Sequence, residues 1–207
     1  MKKKISVLIA VTAWAAVIIQ YWLMLQHRTA SIPETTIRFF SFFTILTNSL
    51  VAVYFTLSAS AKEGKPSSII HQPGTLTAVT VYITVVGLVY QFVLRQTWNP
   101  EGLQKIVDEL LHSVVPLSVI VFWYFYEDKL PVKYLQISRW LIYPLVYLIY
   151  ILVRGHFSVF YPYPFVNVAD IGFAQVLVNS VLITALFIGI SALLIRIGKW
   201  IARDRIQ

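Results

Sequence analysis

Residues 103–126 read LQKIVDELLHSVVPLSVIVFWYFY. The stretch opens polar, and then His112 is followed by more than a dozen mostly apolar residues. A bilayer core needs about 20 apolar residues in a helix, and this stretch is long enough. An ionisable side chain inside such a segment is costly and is a functional candidate by default. Five further stretches are of the same kind: Ile5–Leu25, Ile37–Ser58, Leu76–Leu94, Ile137–Val153 and Gly172–Ile197. The loops between them carry breakers, among them Asn99-Pro100-Glu101-Gly102 and Tyr161-Pro162-Tyr163-Pro164. The expected fold class is all-α: a polytopic membrane protein in which residues 1–207 form a single domain of six transmembrane helices.

Composition agrees with that expectation. Hydrophobic residues make up 58% of the chain and charged residues 13%, with a mean hydropathy of +0.72. Soluble domains are about 25% charged, and 207 residues cannot enclose this much apolar surface in one soluble core. The expected surroundings are therefore the lipid bilayer. The net charge of +8 does not point to nucleic acid, because no soluble basic patch exists to bind it. Cysteine is absent, which excludes disulfides, thiolate metal sites and a cysteine nucleophile. The chain has four histidines, and His27, His71 and His156 fall in loops, so neither a metal site nor a cofactor is expected. Met1-Lys2-Lys3-Lys4 before an apolar run resembles a secretory signal. The run is longer than a signal core of about 7–15 residues and lacks a small-x-small cleavage site, so it reads as a retained first span.

Basic residues set the direction of the spans. Lys2, Lys3, Lys4, Lys62, Lys65, Lys129, Lys133, Arg139, Arg196, Lys199, Arg203 and Arg205 fall on one side. Arg28, Arg38, Arg95, Lys105 and Arg154 fall on the other, which accounts for all 17. Twelve against five predicts that both termini are cytoplasmic. The polar residues inside the spans then gather at the extracytoplasmic ends. Thr44 lies about 7 residues into a span entered at Ile37, roughly 10 Å deep, and His112 about 9 residues in, roughly 13 Å deep.

Helical spacing groups these residues further. Ser41, Thr44 and Asn48 form one stripe, with Thr47 beside it. Asp108 and His112 are four residues apart and share a face, as do Gln175 and Asn179. Gln91 lies at the same end of its span. Arg154, His156, Tyr161, Tyr163 and Asp170 are expected in a loop above them. A threonine hydroxyl becomes nucleophilic when a base takes its proton, and His112 has the intrinsic pKa for that task. Asp108 could orient the imidazole, and Asn48 or Gln91 could steady an oxyanion. Structural readings stand beside these. Thr44 could bond back to the Phe40 carbonyl. Asn48, Gln175 and Asn179 could hold helices together. Asp108 and Glu109 could lie in a wet interfacial turn, and His112 could bond to a facing helix. Arg38 is expected to snorkel to the interface.

Several of these residues carry a family likeness. Phe42-Phe43-Thr44-Ile45-Leu46, ending in Ala52-Val53-Tyr54-Phe55, resembles the second span of the androgen-induced protein family. His112-Ser113-Val114-Val115-Pro116 is similar to that family's His-Thr-Thr-Val-Leu-Pro stretch. Val153-Arg154-Gly155-His156 leading to Tyr163-Pro164-Phe165 resembles its loop before the last span. The six-span outline is also similar to that of a related group of bacterial six-transmembrane membrane proteins. Animal members are threonine-dependent hydrolases of fatty acid esters of hydroxy fatty acids. The resemblance implies Thr44 as nucleophile, His112 as base and a lipid or fatty-acyl ester as substrate. Two departures are plain: Pro116 follows His112 by four residues, not five, and Asp108 stands where the family carries Asn.

The functional expectation is an intramembrane ester hydrolase of the bacterial inner membrane. Thr44 and His112 are its catalytic pair. Asn48, Gln91, Asp108, Arg154, His156, Gln175 and Asn179 are supporting or substrate-binding residues. The competing expectations are a non-enzymatic binder or transporter of a small amphipathic ligand, and an assembly partner within the membrane. No internal repeat of the kind common in transporters is visible in the sequence.

Overall fold

The structure, a computed structural model, describes residues 1–61, 70 and 72–204; Lys62, Lys65, His71 and Arg205 lie outside them. Among the described residues every regular element is helical. Six helices are long and apolar enough to cross a bilayer: Lys2–Gln26, Phe43–Ser60, Thr75–Leu94, Gly102–Tyr126, Tyr134–Ser158 and Val168–Asp204. This is the architecture expected of an integral membrane protein, and the helices are called spans one to six below.

Span one packs on span two through small side chains. Ala10, Ala13 and Ala16 are buried, the first two in one core cluster with Val51, Ala52 and Phe55 of span two. Small residues let helix backbones approach closely where no hydrophobic effect drives association. Span three is the hub. Two-thirds of its apolar window (67%) is enclosed, against 11% for span five and 22% for span six, which leaves those two largely facing the lipid.

At the end opposite the polar residues, buried groups tie the helix ends together. Glu127 accepts from the Gly74 amide (3.2 Å) and the Thr77 hydroxyl (2.9 Å), and burial raises its pKa above the usual carboxylate range. Buried Lys129 donates to the carbonyls of Trp123, Tyr124 and Glu127, closing the last turn of span four.

Three departures from regular helix shape the other end, and a fourth, in span five, lies nearer the Glu127 end. The second apolar stretch is not one helix from Ile37. A short helix, Ile32–Phe39, ends at Phe40, and span two starts afresh at Phe43. Tertiary partners satisfy the interrupted backbone: the Ser41 carbonyl accepts from Tyr147 (2.9 Å), and the Thr44 amide donates to the Tyr163 hydroxyl (3.1 Å). Span four widens into a π turn at Leu110–Val114, where the Val115 amide bonds to the Leu110 carbonyl. Pro116 supplies a local cause, because it has no N–H to give the His112 carbonyl four residues back. Span three likewise ends in a π turn, Tyr90–Leu94. Span five bends at Leu141. Pro144 cannot donate to the Trp140 carbonyl, and the Tyr82 hydroxyl takes its place (2.8 Å). Span five also continues to Ser158, past the expected end at Val153. Arg154 and His156 therefore belong to a helix, not a loop. Gly155 permits this, since a Cβ there would lie 2.0 Å from the Tyr161 ring.

Candidate functional site

Thr44 occupies the first turn of span two, with backbone N–H groups around it that have no partner within the helix. Such a terminus favours negative charge. Its hydroxyl faces two residues from elsewhere in the chain: Oγ1 lies 3.4 Å from His112 Nε2 and 3.3 Å from the Tyr163 hydroxyl. The bond to the Phe40 carbonyl that an unbroken helix would allow is replaced by these contacts.

The surroundings of His112 decide which nitrogen carries the proton. Nδ1 meets the Asp108 carbonyl at 2.9 Å and the Asp108 carboxylate at 3.3 Å. Both are acceptors, so Nδ1 holds the hydrogen and Nε2 presents its lone pair to Thr44. The ring is fixed from a third direction by Tyr90, which stacks on it at 3.9 Å between centroids and 11° between planes. The Tyr90 hydroxyl donates to the Asp108 carboxylate. The two π turns thus face each other across this cluster, an unusual feature that recurs at functional sites. Gly87 lets spans three and four approach here, since a Cβ on it would lie 3.2 Å from the His112 carbonyl.

Tyr163 arrives from the loop between spans five and six and is buried. Its oxygen accepts from the Thr44 amide, so its own proton can go to the Thr44 hydroxyl. Burial pushes the Tyr163 pKa up, with the Thr44 hydrogen bonds opposing, so it stays a donor near neutrality. The sequence pattern does not distinguish Tyr90, and it marks Tyr163 only as a loop residue and part of a motif. An aromatic residue near a span end reads as interfacial anchoring, and nothing in the local pattern shows where its hydroxyl goes.

The remaining candidates divide. Asn48 is fully buried below Thr44 and bridges spans two and four, donating to the Thr44 and Leu111 carbonyls (2.9 and 3.2 Å). Asp108 is at the site. Gln91 is turned away from Thr44 into a ring in which it donates to Ser113 (2.9 Å), Ser113 donates to Glu109 (2.6 Å), and Arg95 contacts both Glu109 and Gln91. Ser41, expected in the Thr44 stripe, lies beyond the helix break and donates to the Ile37 carbonyl. Arg154 joins an outer cluster, bonding to Glu34 at 2.8 Å, as Arg38 also does. Both guanidiniums lie over the Phe160 ring, at 5.0 and 4.8 Å, so Arg38 is engaged in this cluster. His156 is exposed and stands against Phe157. Gln175 is exposed and bonds to Asn179, which holds the Phe165 carbonyl (2.9 Å) and so anchors the loop that carries Tyr163.

Two cavities meet at this cluster, sharing Thr44, Leu94 and Tyr163. The larger, about 580 Å³, includes His112 and Asp108 and reaches His27, Trp98 and Pro162 in the three loops on this side. The smaller, about 240 Å³, runs between spans three, five and six and is lined mostly by apolar side chains. Among the described residues no group of three or more potential metal ligands occurs.

Compared with known proteins, the chain matches no family model, no curated protein and no solved structure.

Proposed function

We propose that this protein is an intramembrane hydrolase of lipid or fatty-acyl esters. The observation that carries the reading is the meeting of the Thr44 hydroxyl with the lone pair of His112 Nε2, where the larger cavity, which reaches the loops, joins the smaller one between the spans. The 3.4 Å separation is long for a hydrogen bond, and catalytic contacts commonly tighten when substrate binds. The resemblance to the androgen-induced protein family supports the same two residues. The excess of basic residues on the opposite side supports a site facing the extracytoplasmic leaflet of a bacterial inner membrane.

The chemistry follows from the positions. His112 Nε2 takes the Thr44 proton as Oγ1 attacks the ester carbonyl carbon. The carbonyl oxygen becomes an oxyanion beside the start of span two, where the helix terminus favours negative charge and the Tyr163 hydroxyl can donate to it. Collapse breaks the bond to the alcohol oxygen, which leaves with the proton from His112. Water then adds to the acyl-threonine, losing a proton to His112. Release of the acid returns that proton to Thr44.

The test is purified protein in detergent, assayed for ester hydrolysis and for labelling by a fluorophosphonate. Thr44→Ala is expected to abolish both while the protein still purifies folded. Undiminished turnover in that variant would remove the proposal. Lipid binding by the wild type without product release would favour the binder.

A further inference from the structure

The proposed chemistry uses Thr44, His112 and the larger cavity, but not the smaller one. Its wall comes from Val85 and Val89 of span three, Leu145 and Leu148 of span five, and Ile183 and Phe187 of span six. The few polar groups lining it are occupied at the walls. Ser180 and Thr184 donate to carbonyls of their own helix (2.7 and 2.8 Å), and Tyr147 donates to the Ser41 carbonyl. Only at the Thr44–Tyr163 end do hydroxyls face a reacting centre. An apolar space of this kind stays dry and accepts an apolar guest.

The position of the opening identifies that guest. Leu145 lines the cavity yet is 55% exposed, and Thr184, also lining it, is exposed as well. Both lie on the flank where spans five and six are least enclosed by protein. Outside such a flank the solvent is hydrocarbon. The vestibule on the other side of Thr44 is lined by Gln20, His27 and Gln104 and reaches the loops.

We infer that the smaller cavity is a binding slot for one hydrocarbon chain, admitted sideways from the bilayer between spans five and six. The acyl chain lies along Val85, Leu148 and Ile183. The ester carbonyl rests at Thr44 and Tyr163, and the polar remainder of the molecule projects into the vestibule. This rests on the hydrolase reading for its carbonyl position, while the slot itself does not.

The experiment combines two measurements. The first is the ratio of long-chain to short-chain 4-nitrophenyl ester turnover in wild type, Leu145→Trp, Thr184→Trp and a control, Leu193→Trp, a lipid-facing site 49% exposed on span six. The second is photolabelling of Thr44→Ala protein, with and without each tryptophan, by a fatty acid carrying a terminal diazirine, mapped by mass spectrometry. The slot predicts a ratio lowered by about 10-fold in the two slot variants but not in the control, in line with the discrimination an apolar pocket achieves by size. It also predicts labels on slot residues that both slot tryptophans suppress. Labels indifferent to both tryptophans, or an active enzyme whose ratio neither changes, would overturn the slot. Wild type without turnover but with slot labelling intact would remove the hydrolase reading and leave the slot standing.

Discussion

Replacing Tyr163 by Phe removes one oxygen at the point where the loop between spans five and six meets span two. That oxygen accepts from the Thr44 amide at 3.1 Å and lies 3.3 Å from the Thr44 hydroxyl, in a buried setting. Loss of the acceptor leaves a buried amide unpaired, which costs about 1–3 kcal/mol. For a chain of this length that corresponds to roughly 2–4 °C of melting temperature per kcal/mol. The catalytic loss has a separate origin. Without the hydroxyl, one donor to the charge developing at Thr44 is gone, and removing one such donor slows turnover by about 10²-fold or more. Thermal unfolding in detergent followed by tryptophan fluorescence measures the first effect, and steady-state kinetics the second. The fall should lie mainly in kcat, because the hydroxyl acts on charge that is absent from the bound ester. A variant melting as wild type, or one whose loss lies wholly in KM, would refute this account of Tyr163.

Asp108→Asn should slow turnover far less than the ~10⁴-fold seen where a carboxylate alone sets the histidine tautomer. Here the Asp108 main-chain carbonyl, at 2.9 Å from Nδ1, already does so, and kcat of the variant is the check. Glu34 is held below the usual carboxylate range by its hydrogen bond to Arg38, with Arg154 adding to it. Its contribution is therefore complete above the ordinary glutamate pKa and disappears as pH falls through the lowered value. Melting temperatures of wild type and Glu34→Gln should differ near neutral pH and converge in acid. Gly155→Ala would place a Cβ about 2.0 Å from the Tyr161 ring. The overpacking should cost about 1–3 kcal/mol, and turnover should fall with the melting temperature because the same loop carries Tyr163.

Hydropathy along the chain is enough to specify six crossings, because in lipid each helix satisfies its own backbone and so announces itself by length and apolarity alone. The i, i+4 relation of Asp108 and His112 is equally local, and the two residues do share a face. The convergence of Thr44 with His112 is also present, but a depth counted along an unbroken helix from Ile37 does not hold, because Thr44 lies in the first turn of a helix that begins at Phe43. Phe40-Ser41-Phe42 contains neither glycine nor proline, so nothing local signals the break. It is tolerated because Tyr147 and Tyr163, more than a hundred residues away, take up the backbone groups that the helix relinquishes. A hydrogen bond between segments so far apart has no periodicity to betray it. For the same reason Tyr90 and Tyr163 read as ordinary aromatics, and Gln91 as a site residue, until the packing of the spans decided where each polar atom finds its partner.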